Sequence, residues 1–237
     1  MQSLNNQRVL VVGGTSGIGF ATAVAAIGAG AIVTIASRNQ KNLDTAAANL
    51  GSGAQMRVLD TGDNNLLERF FQQEEAWDHV VVSAAQTKGG PVRDLSLADA
   101  AAAMDSKFWG AYRVARAARI EEGGSLTFIS GFLSERPSGT AVLQGAINAA
   151  LEALARGLAL EFAPIRVNAV SPGLIETPIW DGLPSEKRKA LFESTAAQLP
   201  VQKIGQPQDV ANAVLFLMTT PFATGSTVRV DGGAVIA

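Results

Sequence analysis

The sequence predicts an α/β domain built on a doubly wound parallel sheet of about seven strands. Three observations predict it. Short Val- and Ile-rich runs recur along the chain and are apolar throughout rather than alternating, as in strands buried on both faces. Longer Ala/Leu-rich stretches of helical character separate them, which is the order of a sheet with helices on both sides. The chain holds 237 residues, 47 % of them hydrophobic, enough to bury a sizeable core within one domain.

In chain order, the strands are read at 8–13, 31–36, 55–60, 79–84, 125–130, 165–170 and 226–230, and the helices near 17–29, 40–50, 63–75, 96–119, 140–162 and 207–219. Gly28 and Gly30 close the first helix, because glycine adopts the left-handed cap conformation without strain. They also divide the apolar stretch 20–37 into a helix and a strand rather than a membrane span. Ser96 with Asp99 three residues later resembles a capping box before an Ala-rich helix. Pro207 and Asp209 open the last helix, where a missing N–H and a negative charge are tolerated best. No repeat, linker or composition break divides the chain, so 1–237 is read as one domain. The least regular stretch, 178–206, interrupts the alternation where an α/β protein carries a lid.

Formal net charge is −2, with no run of Lys or Arg. That argues against a nucleic-acid or anionic-membrane surface. There is no Cys and a single His, which excludes disulfides, thiolate nucleophiles and multi-His metal sites. His79 is placed just before the fourth strand, as a structural or exposed residue. The N-terminus lacks a basic region followed by an apolar run and a cleavage site, so the expectation is a cytoplasmic protein.

The stretch VGGTSGIG, 12–19, follows the first strand and opens the first helix. Gly13 permits a tight turn. Gly17 and Gly19 let backbone approach a pyrophosphate and let the helix pack on the sheet. Thr15, Ser16 and the free N–H groups of the helix start complete a phosphate cradle. A dinucleotide site is therefore expected. At the end of the second strand, Ser37 stands where an acid would bind the ribose of NAD, and Arg38 follows. A guanidinium suits a 2′-phosphate, which favours NADP(H) over NAD(H); the alternative is an ordinary solvated arginine. Asp60 ends the third strand, either accepting from an adenine amino group or capping the next helix.

These motifs resemble the short-chain dehydrogenase/reductase family, which has a Rossmann fold, over nearly the whole chain. VGGTSGIG is similar to its TGxxxGIG loop, SAAQ (83–86) to a degraded NNAG, IRVNAVSPGLIETP (165–178) to its IRVN…PG-x-I-x-T segment, and TGSTVRVDGG (224–233) to its last strand. The resemblance implies that the glycine loop and Ile18 line the diphosphate, that Asp60 and Thr61 lie near adenine, and that Ala84 lies near its ribose, with Ser83 and Ala85 also in the cofactor site. Pro172, Gly173, Ile175 and Thr177 would border the nicotinamide. The family's Asn-Ser-Tyr-Lys tetrad falls on Lys107, Gly131, Gln144 and Asn148, so all four are changed. Ser130 lies one residue from the serine position, and the one Tyr, Tyr112, lies on another helix.

What such a site retains is orientation of a nicotinamide and a substrate carbon. The missing acid restricts reduction to carbonyls whose reduced oxygen is a stabilised anion, quinones or vicinal dicarbonyls. Lys107 is a candidate oxyanion stabiliser or relocated proton donor, or else a surface lysine. Asn148 is a candidate partner of the nicotinamide ribose as well as a site residue, and Gln144 a candidate amide donor to a carbonyl oxygen. Ser130, Ser134 and Thr140 are hydroxyls nearby. The leading reading is an NADP(H)-dependent oxidoreductase of activated carbonyls. The alternative is a non-catalytic NADP(H)-binding redox sensor or partner subunit of a catalytic homologue, and a minor third is a lyase or isomerase. Apolar residues on more than one face of 140–162 and the C-terminus GGAVIA point to a homodimer or homotetramer, as does the resemblance. Trp180, Leu183, Leu191 and Phe192 are the expected apolar walls for substrate.

Overall fold

The computed structural model describes residues 3–237; the reading of the N-terminus as leaderless rests partly on Met1 and Gln2, which lie outside them. Seven strands form one sheet: β1 (Arg8–Val12), β2 (Ile32–Ser37), β3 (Ala54–Val58), β4 (Trp77–Val82), β5 (Ile120–Ile129), β6 (Arg166–Pro172) and β7 (Thr227–Val230). Their order is β3-β2-β1-β4-β5-β6-β7, and every neighbouring pair is parallel. The chain winds outward from β1 to β3, then crosses back to lay β4 on the other side of β1. A crevice opens at such a reversal, beyond the carboxyl ends of the strands. Val12 pairs with both Ala36 and Val82, so β1, β2 and β4 end together at its floor.

Eight helices cover the two faces: α1 (Gly17–Gly28), α2 (Gln40–Leu50), α3 (Asn64–Gln73), α4 (Leu97–Met104), α5 (Gly110–Ala117), α6 (Val142–Glu161), α7 (Ser185–Gln198) and α8 (Pro207–Thr219). Successive strand residues alternate between two cores. Val9, Val11, Val33, Ile35 and Val81 pack with residues of α1 and α8. Leu10, Val12, Val80, Val82, Leu126 and Phe128 pack with residues of α3, α5 and α6. Each fully buried aliphatic side chain contributes about 1.5–3 kcal/mol, so both faces favour the strand assignments read from the continuous apolar runs. Among the described residues no helix is long and apolar enough to cross a membrane.

Local chemistry sets the boundaries. α1 ends at Gly28 and Gly30 turns the chain with φ +92°. Ser96 Oγ accepts from Asp99 N at 3.0 Å. Asp99 Oδ2 accepts from the Ser96 hydroxyl rather than from the Ser96 backbone N–H, so half of the expected box is made. Asp209 accepts from Gln206 N at 2.8 Å ahead of Pro207.

Four expectations are corrected. Ser185–Gln198 of the irregular stretch is a helix, α7; it buries no residue completely, which is why no apolar stripe marks it. The helix expected over 96–119 is broken by a wide π turn, Asp105–Trp109, between α4 and α5. His79 lies inside β4 and is buried, sharing hydrogen bonds with Ser125 Oγ at 2.8 Å and Gln7 Oε1 at 3.0 Å. Burial, aided by the Arg166 guanidinium, lowers its pKa from 6.5 to about 4. Asp60 caps no helix: Asp63 caps α3 by accepting from Leu66 N at 2.9 Å, and Asp60 accepts from Gly62 N in the preceding turn.

Candidate functional site

A cleft of about 880 Å³ opens over the carboxyl ends of β1, β2, β4 and β5. Its first wall is the turn between β1 and α1, where Gly13, Thr15, Ser16, Gly17 and Ile18 line it. Gly13 has φ +86°, and a Cβ there would lie 2.4 Å from Ala84 N. Glycine alone lets the turn lie against the end of β4. Gly19 does not line the cleft; a Cβ on it would meet Gly13 O at 2.2 Å, so it lets α1 start close under the turn. Ser16 makes no side-chain capping bond. The first N–H groups of α1 therefore face the cleft with the positive end of the helix dipole, an arrangement that fits an anionic group.

The second wall is the end of β2, with Ser37, Arg38, Asn39, Gln40 and Asn42. Arg38 is exposed, and none of the ion pairs among the described residues involves it. Thr61, Ser83, Ala84 and Ala85 continue the lining, and Pro172 and Thr177 close the far side. Asp60 borders an adjoining recess with Arg38 and Thr61. Gly173 and Ile175 stand apart: they line a separate cavity with Leu199 and Asp231. Ile175 is buried, and its carbonyl accepts from Trp180 Nε1 at 2.9 Å. Trp180 and Phe192 meet edge to face at 6.4 Å, which ties α7 to the segment after β6.

The floor is a set of polar side chains brought in from three elements. Lys107, on the π turn, lines the cleft with Ser106 and Ser130. Its Nζ donates to Asn148 Oδ1 at 2.6 Å and to the Ser130 carbonyl at 2.9 Å. Burial lowers the Lys107 pKa from 10.5 to about 8, and the nearby Glu152 carboxylate opposes that fall. Asn148 is itself buried. A Cβ on Gly131 would lie 2.7 Å from Asn148 Nδ2, so the absent side chain at 131 is what makes room for the amide at 148.

Gln144, one turn earlier on α6, turns elsewhere. Its Nε2 donates to the Lys88 carbonyl at 2.7 Å, and its Oε1 is buried without a protein partner. It ties α6 to the loop after β4 and does not itself line the cleft. Ser134 Oγ donates to Glu152 Oε1 at 2.7 Å, and Thr140 pairs with Ser138 at the surface.

Glu152 was not among the residues singled out from the sequence. Its signal was present: an acid in an Ala/Leu-rich helix, four residues from Asn148 and eight from Gln144, spacings that put all three on one face. The glutamine, threonine and asparagine residues rimming the cleft carry no such spacing. No group of His, Cys, Asp or Glu among the described residues is arranged to hold a metal.

Comparisons with known proteins agree with this architecture. The family profile described as enoyl-(acyl carrier protein) reductase matches residues 12–235. The short-chain dehydrogenase/reductase ATR9 of Stachybotrys chlorohalonatus is 34 % identical, with 100 % of both chains covered. The short-chain dehydrogenase/reductase ucsE of an Acremonium species is 31 % identical, over 99 % of this chain and 97 % of that one. Among solved structures, a small-chain dehydrogenase in complex with NADPH is 35 % identical, with a TM-score of 0.84, over 98 % of this chain and 100 % of that chain. The chain belongs to the short-chain dehydrogenase/reductase family.

Proposed function

We propose that the protein is an NADP(H)-dependent oxidoreductase that reduces an activated carbonyl, of the quinone or vicinal dicarbonyl type, without a tyrosine acid. The observation that carries this reading is the Lys107 ammonium in the cleft floor. Two of its three N–H groups are committed to Asn148 Oδ1 and the Ser130 carbonyl, and the third remains for an oxygen in the cleft. A cation held there stabilises a developing oxyanion without waiting for a neutral proton donor. With a pKa near 8, the group is still largely protonated, and so cationic, at neutral pH.

The residues also fit the dinucleotide. The uncapped start of α1 would hold its diphosphate, Arg38 a 2′-phosphate, and Thr177 with Pro172 the nicotinamide end. Bound nicotinamide would supply the hydride; Lys107 would hold the substrate oxygen, and the cleft walls would orient the carbon. The NADPH complex of a 35 % identical relative supports this choice of cofactor.

Of the four positions that resemble the family's tetrad, three are occupied by residues that fit one another, Lys107, Gly131 and Asn148, while Gln144 turns to the Lys88 carbonyl. Asn148 fills the space beside Gly131 and accepts from Lys107. Mutual accommodation of this kind favours a working site over one eroded by drift.

The test is NADPH oxidation by the purified protein with an ortho-quinone and a simple ketone side by side. The quinone is expected to turn over at least 100-fold faster, the low end of what a neutral acid contributes. Lys107→Met is expected to reduce that rate tenfold or more while leaving NADPH binding intact. No turnover of either substrate at saturating NADPH would replace this reading with a sensor or partner-subunit role.

A further inference from the structure

Three polar groups of the floor remain outside this account: Glu152, the Ser130 hydroxyl and Ser134. Glu152 is 7 % exposed on the inner face of α6. A buried carboxylate is costly unless paired and hydrogen-bonded. Its Oε1 accepts from Ser130 Oγ at 2.8 Å and from Ser134 Oγ at 2.7 Å. Ser130 faces both ways, since its hydroxyl reaches Glu152 while its carbonyl accepts from Lys107. One residue therefore joins the carboxylate to the ammonium, and Asn148 stands between them one helical turn from Glu152.

We propose that Glu152 is a positioning residue and the buried counter-charge of Lys107: fixed by Ser130 and Ser134, it holds the Ser130 carbonyl against the ammonium and keeps that ammonium charged in the cleft. The proposal rests on the reading of Lys107 as the group that meets the substrate oxygen. It also accounts for an acid on the buried face of an Ala/Leu-rich helix.

The groups facing Lys107 support it. From α6 come Asn148, which is neutral, and Glu152. From the end of β5 comes Ser130. On its own turn, Asp105 is half exposed and ion-paired with Arg113. Across the cleft the charged residue is Arg38, which has the sign of Lys107 itself. Glu152 is the one carboxylate whose charge raises the Lys107 pKa against burial.

The experiment is a pH titration of lysine side-chain NMR signals in the 237-residue chain without cofactor or substrate. It stands or falls apart from turnover. The chain has six lysines, and Lys107→Met assigns the signal. The wild-type Lys107 signal is expected to titrate near 8. In Glu152→Gln, which keeps the acceptor for both serines but removes the charge, the midpoint should fall by about one pH unit, the low end of the effect of a nearby opposite charge. Glu152→Asp should restore most of it.

Ser134→Ala removes one of the two hydroxyls that hold the carboxylate and disturbs no helix packing. It should lower the midpoint in the same direction by less, and it keeps the test open if Glu152→Gln does not fold. An unchanged Lys107 midpoint in folded Glu152→Gln, or in Ser134→Ala where the first does not fold, would overturn the proposal.

Discussion

Replacing Lys107 by Met isolates the energetic cost of keeping an ammonium in the cleft floor. In the unfolded chain the amine has its ordinary value of 10.5, and in the folded chain burial brings it to about 8. At about 1.4 kcal/mol for each tenfold change in proton affinity, folding disfavours the charged form by about 3 kcal/mol. Between pH 8 and 10.5 the unfolded chain holds more protons than the folded one, so stability rises with pH across that window. Below pH 8 the cost is present in full, and above 10.5 it is gone. From about pH 7.5 to about pH 10 the wild-type chain should therefore gain about 2 kcal/mol more stability than Lys107→Met. Urea unfolding of both proteins at the two pH values measures this. Every other ionisable group is common to the two proteins, so its contribution cancels in the comparison. Equal gains would refute the placement of a depressed, buried amine at residue 107.

Arg38→Ala should weaken NADPH by roughly 10–100-fold, the worth of a charge-assisted hydrogen bond, and NADH far less; binding titrations with the two cofactors decide it, and equal weakening removes Arg38 from the 2′-phosphate. His79, lowered to about 4 by burial, adds stability that is complete above pH 6.5 and lost as pH falls towards 4, about 3 kcal/mol in all. His79→Gln should lose that acid dependence in thermal unfolding between those pH values. Gly131→Ala drives a Cβ into the Asn148 amide and should cost about 1–3 kcal/mol; in an Asn148→Ala background the cost should shrink, and additive costs in the double-mutant cycle would mean the two sites do not touch. Arg166→Met removes donors to the carbonyls of Leu217, Met218 and Thr220 and should destabilise by about 3 kcal/mol or more, read by urea unfolding.

The central strands β1 and β2 were legible because they are nearly continuous apolar runs, buried on both faces; the edge strands β3 and β7 alternate polar and apolar residues and are only partly buried. The glycine-rich wall was legible because its glycines are demanded by backbone approach: Gly13 against Ala84 and Gly19 against Gly13 itself. α7 was not legible, because a helix lying on the surface without a buried stripe carries no 3.6-residue pattern to detect. His79 was misplaced by a strand that begins two residues earlier, at Trp77. In the floor, the resemblance to the family's tetrad pointed to Lys107, Gln144 and Asn148, but a motif position does not say where a flexible side chain goes. Gln144 turns to the Lys88 carbonyl, whereas Lys107 and Asn148 find each other. Glu152 escaped because an acid in a long helix reads as a solvated face, as the exposed Glu161 of the same helix is, until the packing of α6 against β5 is known.

The wide turn at Asp105–Trp109 lets one stretch of chain serve two masters. α5 commits Ala111, Val114 and Ala115 to the core, while the turn before it delivers Lys107 to the cleft. A π turn accommodates one residue more than an α-helical turn, and each residue advances the helix by about 100°. Across the bulge the extra residue is absorbed by the wider turn, so α4 and α5 stay in phase and both Ala103 and Ala111 reach the interior. Deleting one residue from 105–109 should therefore let the helix run on regularly with both halves in their beds, and remove only the bulge that turns Lys107 to the cleft. The aim of the lysine can change by one residue without any repacking of the core on either side.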